Sequence, residues 1–226
     1  MRPFFPLFID LTNRDVLVVG GGFVATEKVG QMMKAQARVT VVSPDASEEI
    51  HEWARRGQLS LKLRPFRDED LGGYFLVITG TNDDAVNARV FKLAEGRCMF
   101  ANSIDDLDNC NFIMGAVAQA GPLQVAVSSG GASPTLAGRL RDRFLREMLD
   151  EGMDTLAAFL GTWRQQLSSG LKDFAAKRRF WRAVMDSPIP DWVTSDQSLL
   201  AEQHIIKLWE TETGSSFTVL AAGSAT

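Results

Sequence analysis

Four apolar residues, Val16 to Val19, run directly into Gly20-Gly21-Gly22, and a helix-like segment opens at Val24. No other stretch constrains the fold as much. Glycines permit the sharp turn from a buried strand and let the backbone approach a pyrophosphate, which the first N–H groups and dipole of the new helix then face. The spacing reads G-x-G-x-x-A, with Gly20, Gly22 and Ala25 in the fingerprint positions. A second strand-like run, Arg38 to Ser43, follows the helix, which makes this a βαβ unit suited to a dinucleotide. The plainer alternative is a glycine turn that binds nothing.

The end of the second strand selects the dinucleotide, because an acidic side chain there bonds the ribose hydroxyls and a basic one receives a 2′-phosphate. Ser43-Pro44-Asp45 carries no nearby Arg or Lys, so the expected cofactor is NAD, with Asp45 on the ribose. Asp45 also stands where it could cap a helix starting near Ser47.

Strand-like and helix-like stretches alternate through the first half, the pattern of a parallel sheet. Helices are expected at about Val24 to Ala35, Ser47 to Arg56 and Asp83 to Glu95. Further strands are expected at Leu59 to Leu63, Phe75 to Thr79 and Met99 to Asn102. Ligands of such sheets bind at the carboxyl ends of the strands, which singles out Thr79 to Asn82 and Asn102 to Asp106. The pattern then changes. Phe112 to Val117 and Leu123 to Ser128 read as a hairpin joined by Ala118 to Pro122. Ser133-Pro134 opens a long amphipathic helix running to about Leu149. Helices are expected at Asp154 to Leu167, Lys172 to Met185 and Ser195 to Trp209, with Ser187 to Pro190 breaking the last two, and residues 214–226 read as a loose tail. The fold class is therefore α/β: a Rossmann-type domain over residues 1–110, a hairpin and helix over 111–149 and a helical region over 150–226.

Composition narrows the function. A net charge of −4 argues against nucleic-acid partners, and no apolar run approaches the ~20 residues that span a bilayer. The N-terminal MRPFFPLFIDL lacks the features of a signal peptide, so a cytoplasmic location is expected. Cys98, Cys110, His51 and His204 fall in no metal-ligand spacing, and no resident metal is expected. Cys98 reads as a core residue beside a strand, and the histidines as helix-surface residues.

Among groups that carry chemistry, Asp105 lies just past a strand, where a carboxylate suits a reaction that moves a hydride from one carbon and a proton from a neighbouring position. A solvated acidic turn is the alternative, given Asp106 and Asp108. The glycine-rich loop Val127 to Pro134 is either a backbone cradle for carboxylates or a tight turn before a capped helix. Lys177 to Arg182, with Arg139, Arg141 and Arg143, are either carboxylate contacts or charged helix faces.

Taken together, Pro6-Leu7-Phe8, VLVVGGGFVATEK, ARVTVVSP, ITGTNDDAVN, NSIDD, NFIMGAV and LQVAVSSGGASPTLAGRLRDRF resemble the precorrin-2 dehydrogenase/sirohydrochlorin ferrochelatase family, which includes the N-terminal module of siroheme synthase. The likeness covers roughly residues 4 to 150, and RRFW extends it to about 181. It implies NAD-dependent oxidation of precorrin-2 to sirohydrochlorin, and in bifunctional members insertion of Fe²⁺ as a substrate metal; Co²⁺, leading toward a corrinoid, would use the same geometry. The aspartate implicated in both steps falls on Asp105. Cofactor contacts fall on Phe23, Val24, Pro44 and Asp45, while Thr81 and Asn102 line the site. The resemblance further implies a homodimer built through the segment from about Asn111 to Leu149, and places a serine that is phosphorylated in some relatives on Ser129. Glu27 replaces an arginine common in the family's fingerprint helix. Because the chain ends at Thr226, the methyltransferase half of the fused enzymes is expected to be absent. The alternatives are a non-catalytic NAD- or tetrapyrrole-binding protein and, more remotely, a Rossmann-type domain gating a channel.

Overall fold

The computed structural model describes residues 3–167 and 170–217. Its first compact unit, Met1–Met114, is built on five strands. These are β1 (Asp15–Val19), β2 (Arg38–Ser43), β3 (Ser60–Leu63), β4 (Leu76–Thr79) and β5 (Phe100–Ser103). Every pairing is parallel and the order is β3-β2-β1-β4-β5. Helices α1 (Phe23–Lys34), α2 (Glu48–Arg55) and α3 (Asp84–Glu95) make the crossovers, with a 3₁₀ turn at Asp68–Leu71 ahead of β4.

The central strands need apolar side chains on both faces because helices cover both. Val16, Val18, Val41 and Ile78 pack with Ala25 and Val29 of α1 and Ile50 of α2. Leu17, Val19, Val42 and Val77 pack on the opposite face with Val90 and Ala94 of α3. After β3 the chain returns across β1 to start β4, so the direction of winding reverses between β1 and β4. A crevice opens at the carboxyl ends of strands at such a switch point.

The second unit, Gly115–Thr226, holds an antiparallel hairpin and five helices among its described residues. Its strands are β6 (Ala116–Ala120) and β7 (Leu123–Val127), and its helices are α4 (Pro134–Asp150), α5 (Met153–Leu167), α6 (Phe174–Met185), α7 (Ile189–Thr194) and α8 (Ser198–Thr213). The first hairpin strand thus lies later than the expected Phe112 to Val117. Ala120 pairs with Leu123 across a two-residue turn in which Gly121 has φ +53°, the conformation a II′ turn requires at its first central position. That turn sets the register, and Phe112 belongs instead to the first unit, edge-on to Phe100. The hairpin and α4, expected as a segment apart from the later helices, share one unit with them.

Three further expectations change. The break at Ser187 to Pro190 contains a helix of its own, α7, entered through the Ser187 hydroxyl, which donates to Val184 O and accepts from Ile189 N–H. The tail expected from residue 214 is docked at its start. Gly214 closes α8 in the left-handed conformation, and Phe217 packs against Trp163 and Trp209 while its N–H donates to Glu210. The rest of that expectation, 218–226, lies outside the described residues. Cys98 is exposed, not core: it occupies a left-handed turn at φ +53°, and the buried place beside β5 goes to Met99. His51 lies on α2 and His204 packs edge-on against Trp192.

Candidate functional site

The carboxyl edge around the β1/β4 switch point gathers most of the residues expected to act. Gly20 has φ +116°, and a Cβ there would stand 2.5 Å from Gly80 O. A Cβ on Gly21 would collide with the backbone of Asp45. These two glycines are therefore dictated by the close passage of the β4 and β2 exits. Gly22 differs, because a Cβ there would meet nothing within 4 Å, yet it is the N-cap of α1 and no side chain caps that end. The first N–H groups of a helix have no intrahelical acceptor. An open space beside uncapped N–H groups fits the phosphate of a dinucleotide. Ala25, the last fingerprint residue, is fully buried and lies under Gly80.

Phe23 and Val24, the first residues of α1, are both exposed, as a surface for a ligand at this end requires. Pro44 and Asp45 are exposed in the β2–α2 turn. Ser47, not Asp45, caps α2 by accepting from Ile50 N–H, while the Asp45 carboxylate accepts only the adjacent Ala46 N–H. Thr26 joins the two helix starts: its hydroxyl donates to Gly22 O, and the Ser47 hydroxyl lies 2.7 Å from it.

Thr81 and Asn102 are placed at this edge but are engaged with their own loops. The Thr81 hydroxyl lies 2.8 Å from Asn87 Oδ1, and Asn87 Nδ2 donates back to Thr81 O. Asn102 Nδ2 donates to Phe112 O and to Cys110 Sγ. Asn87 and Cys110 were not anticipated as site-building residues. The signal for Asn87 was available, since it is a buried amide within ITGTNDDAVN; nothing in the sequence marks Cys110.

Asp105 is exposed just beyond β5, in a left-handed conformation with φ +59°. It is the third residue of a turn closed by Asp106 N–H donating to Ser103 O. Its neighbour Asp106 is consumed locally, accepting from Asp108 N–H and Asn109 Nδ2. The Asp105 carboxylate has no hydrogen-bond partner among the described residues, as a group that acts on a ligand needs. One strand beyond β2, Arg64 leaves β3 and is held bidentately by Asp70 at 2.6 and 2.5 Å. That guanidinium holds the buried Asp70 carboxyl down to a pKa of about 2.

In the second unit Ser129 accepts the Ser133 N–H through its hydroxyl, and Ser133 caps α4 by accepting from Leu136 N–H. Arg141, Arg143 and Arg179 pair with Asp142, Glu147 and Glu212. Among the described residues, no group of three or more His, Cys, Asp or Glu side chains is placed to hold a metal, and no helix is long and apolar enough to cross a membrane.

Three family models match the chain in succession. An NAD(P)-binding model covers residues 7–116, the sirohaem biosynthesis protein central model covers 120–147, and the sirohaem synthase dimerisation region covers 152–208. The chain belongs to the precorrin-2 dehydrogenase and siroheme synthase family. Within that family it is 38% identical to the siroheme synthase of Mannheimia succiniciproducens over 73% of its length, and 36% identical to that of Neisseria meningitidis over 92%. It spans 34% and 43% of those two relatives. The solved structure of SirC, precorrin-2 dehydrogenase, superposes with a TM-score of 0.72 at 29% identity, covering 92% of this chain and all of that one. The first unit is thus an NAD(P)-binding Rossmann domain of this family. The region that the family names for dimerisation falls on α5 to α8, after the 111–149 segment expected to carry the dimer.

Proposed function

We propose that the protein is an NAD-dependent precorrin-2 dehydrogenase that forms sirohydrochlorin for sirohaem biosynthesis, and that the same site then receives Fe²⁺ or Co²⁺ as a substrate. The observation that carries the reading is the open, uncapped glycine end of α1 on the same sheet edge as Asp105, whose carboxylate has no partner among the described residues. Gly20, Gly22 and the start of α1 hold the pyrophosphate, with Phe23 and Val24 beside it. Pro44 and Asp45 receive the adenosine ribose, and Thr81 and Asn102 shape the floor through their backbone loops. When bound, NAD supplies the hydride acceptor. Asp105 takes the proton that leaves the macrocycle as the hydride departs, so that two electrons and two hydrogens are removed in all. The same carboxylate then accepts protons from pyrrole N–H groups as the metal enters, the macrocycle nitrogens being the ligands.

NAD is favoured over NADP because Asp45 is exposed and does not cap a helix, and an anion there repels a 2′-phosphate. Arg64, the cation on the neighbouring strand exit, is already neutralised by Asp70. A homodimer formed through the second unit completes the proposal.

Anaerobic incubation with precorrin-2 and NAD tests it. NADH absorbance should rise, and addition of Fe²⁺ or Co²⁺ should change the macrocycle spectrum faster than without protein. Gly22→Ala should fold normally, since the added methyl meets no atom, yet lose NADH formation because it fills the phosphate space. NADH without metal insertion would leave a dehydrogenase alone, and no NADH from the wild type would turn the reading to a non-catalytic binding protein.

A further inference from the structure

Asp105 holds a conformation that L-residues other than Asn and Asp seldom adopt, and such residues persist only where their surroundings over-determine them. The surroundings here converge on one atom. Cys110 Sγ is buried and accepts the Ser103 N–H at 3.2 Å and Asn102 Nδ2 at 3.4 Å. Its S–H proton is offered to Ser103 O at 3.2 Å and Asp106 O at 3.1 Å. One sulfur therefore grips the backbone on both sides of Asp105, two residues before it and one after. The donor contacts to Ser103 O and Asp106 O are longer than the roughly 2.5–3.0 Å that O–H···O bonds span, so a hydroxyl in its place would leave them slack.

We infer that Cys110 is a positioning residue for the reaction, a sulfur clasp that holds the Ser103–Asp106 turn so that the Asp105 carboxylate is presented at the sheet edge. The inference rests on the proposed role of Asp105. The thiol is buried under the turn, and through Ser103 and Asp106 it bonds the backbone that flanks Asp105. Its contribution is to kcat: the glycine end of α1 that holds the pyrophosphate is a separate segment, and Asn102, which the sulfur also touches, keeps its own bond to Phe112 O.

The test compares steady-state rates of NADH formation from precorrin-2 for wild type, Cys110→Ala, Asp105→Ala and the double variant. Misplacing a reacting group by about 1 Å can cost about 100-fold. Cys110→Ala is expected to lower kcat by roughly tenfold, within that limit, and to leave the KM for NAD within about twofold. Cys110→Ser should recover part of the loss. In the Asp105→Ala background the cysteine change should cost nothing further, because it acts only through that carboxylate. Full kcat in Cys110→Ala, an equal rise in KM, or a multiplicative loss in the double variant would each overturn the inference. If Cys110→Ala does not fold, Cys110→Val fills the sulfur's space without hydrogen bonds and is judged by the same criteria. A wild type that forms no NADH overturns the proposed function itself, whereas an active wild type with an indifferent Cys110 overturns only the clasp.

Discussion

Asp105 sits at the third position of a four-residue turn, where φ is positive and glycine or asparagine is the usual occupant. A side chain in that region costs about 1–2 kcal/mol, part of which is offset by the lower chain entropy of a non-glycine residue when unfolded. Asp105→Gly should therefore raise stability by roughly 0.5–1 kcal/mol in chemical denaturation while abolishing turnover. A less stable glycine variant would show that the turn is not strained. Placement at this scale was legible from sequence: a glycine run directly after one apolar strand and a carboxylate just past another put both at the carboxyl edge of the sheet. Their commitments were not. Whether Asp45 or Ser47 caps α2, and whether Asp105 or Asp106 is the unpartnered acid, depends on angles of approach that spacing does not encode.

Pairing between elements adds a second tier. Arg64 leaves β3 and locks onto Asp70 in the 3₁₀ turn that leads toward β4, tying the outermost strand to the crossover. Because the guanidinium lowers the Asp70 pKa from 3.8 to about 2, the folded state binds this proton less tightly than the unfolded chain. The stabilisation is therefore fully present above about pH 4 and is lost as pH falls through about 2. Its size is about 2 kcal/mol, and roughly half should be gone by pH 3. Urea titrations should accordingly show Asp70→Asn well below wild type at pH 7, with the gap narrowing by about 1 kcal/mol at pH 3. An unchanged gap would mean that the pair does not couple to folding. Most strands and helices at this scale were legible within a residue or two, because their apolar runs and caps are local. The first hairpin strand was misplaced because Phe112 and Met114 are as apolar as strand residues yet pack on the first unit's core, and only the Gly121-Pro122 turn sets which residues pair.

At the scale of the whole molecule, contacts divide between Met114 and Gly115, so that a nucleotide-binding unit is followed by a hairpin-and-helix unit. The latter exposes an apolar stripe on α4, with Leu136, Leu140 and Phe144 at successive four-residue steps. Apolar surface of this kind marks an interaction face, consistent with the proposed dimer. Sedimentation should give a mass near twice 24.9 kDa at micromolar concentration, and Phe144→Asp should shift the equilibrium toward monomer. A Phe144→Asp protein that remains fully dimeric would move the interface off α4, toward the α5–α8 region that carries the family's dimerisation name.

By itself the sequence determined the parallel sheet and the glycine turn between β1 and α1, because each follows from local periodicity and from the few residues a tight turn admits. Tertiary structure alone decided that Gly22 is open where Gly20 and Gly21 are crowded, that Phe217 docks on two tryptophans, and that a cysteine holds the turn carrying Asp105. Those facts depend on atoms brought together from distant positions in the chain or across a fold in a loop, and no pattern of neighbours along the sequence records which of them will meet.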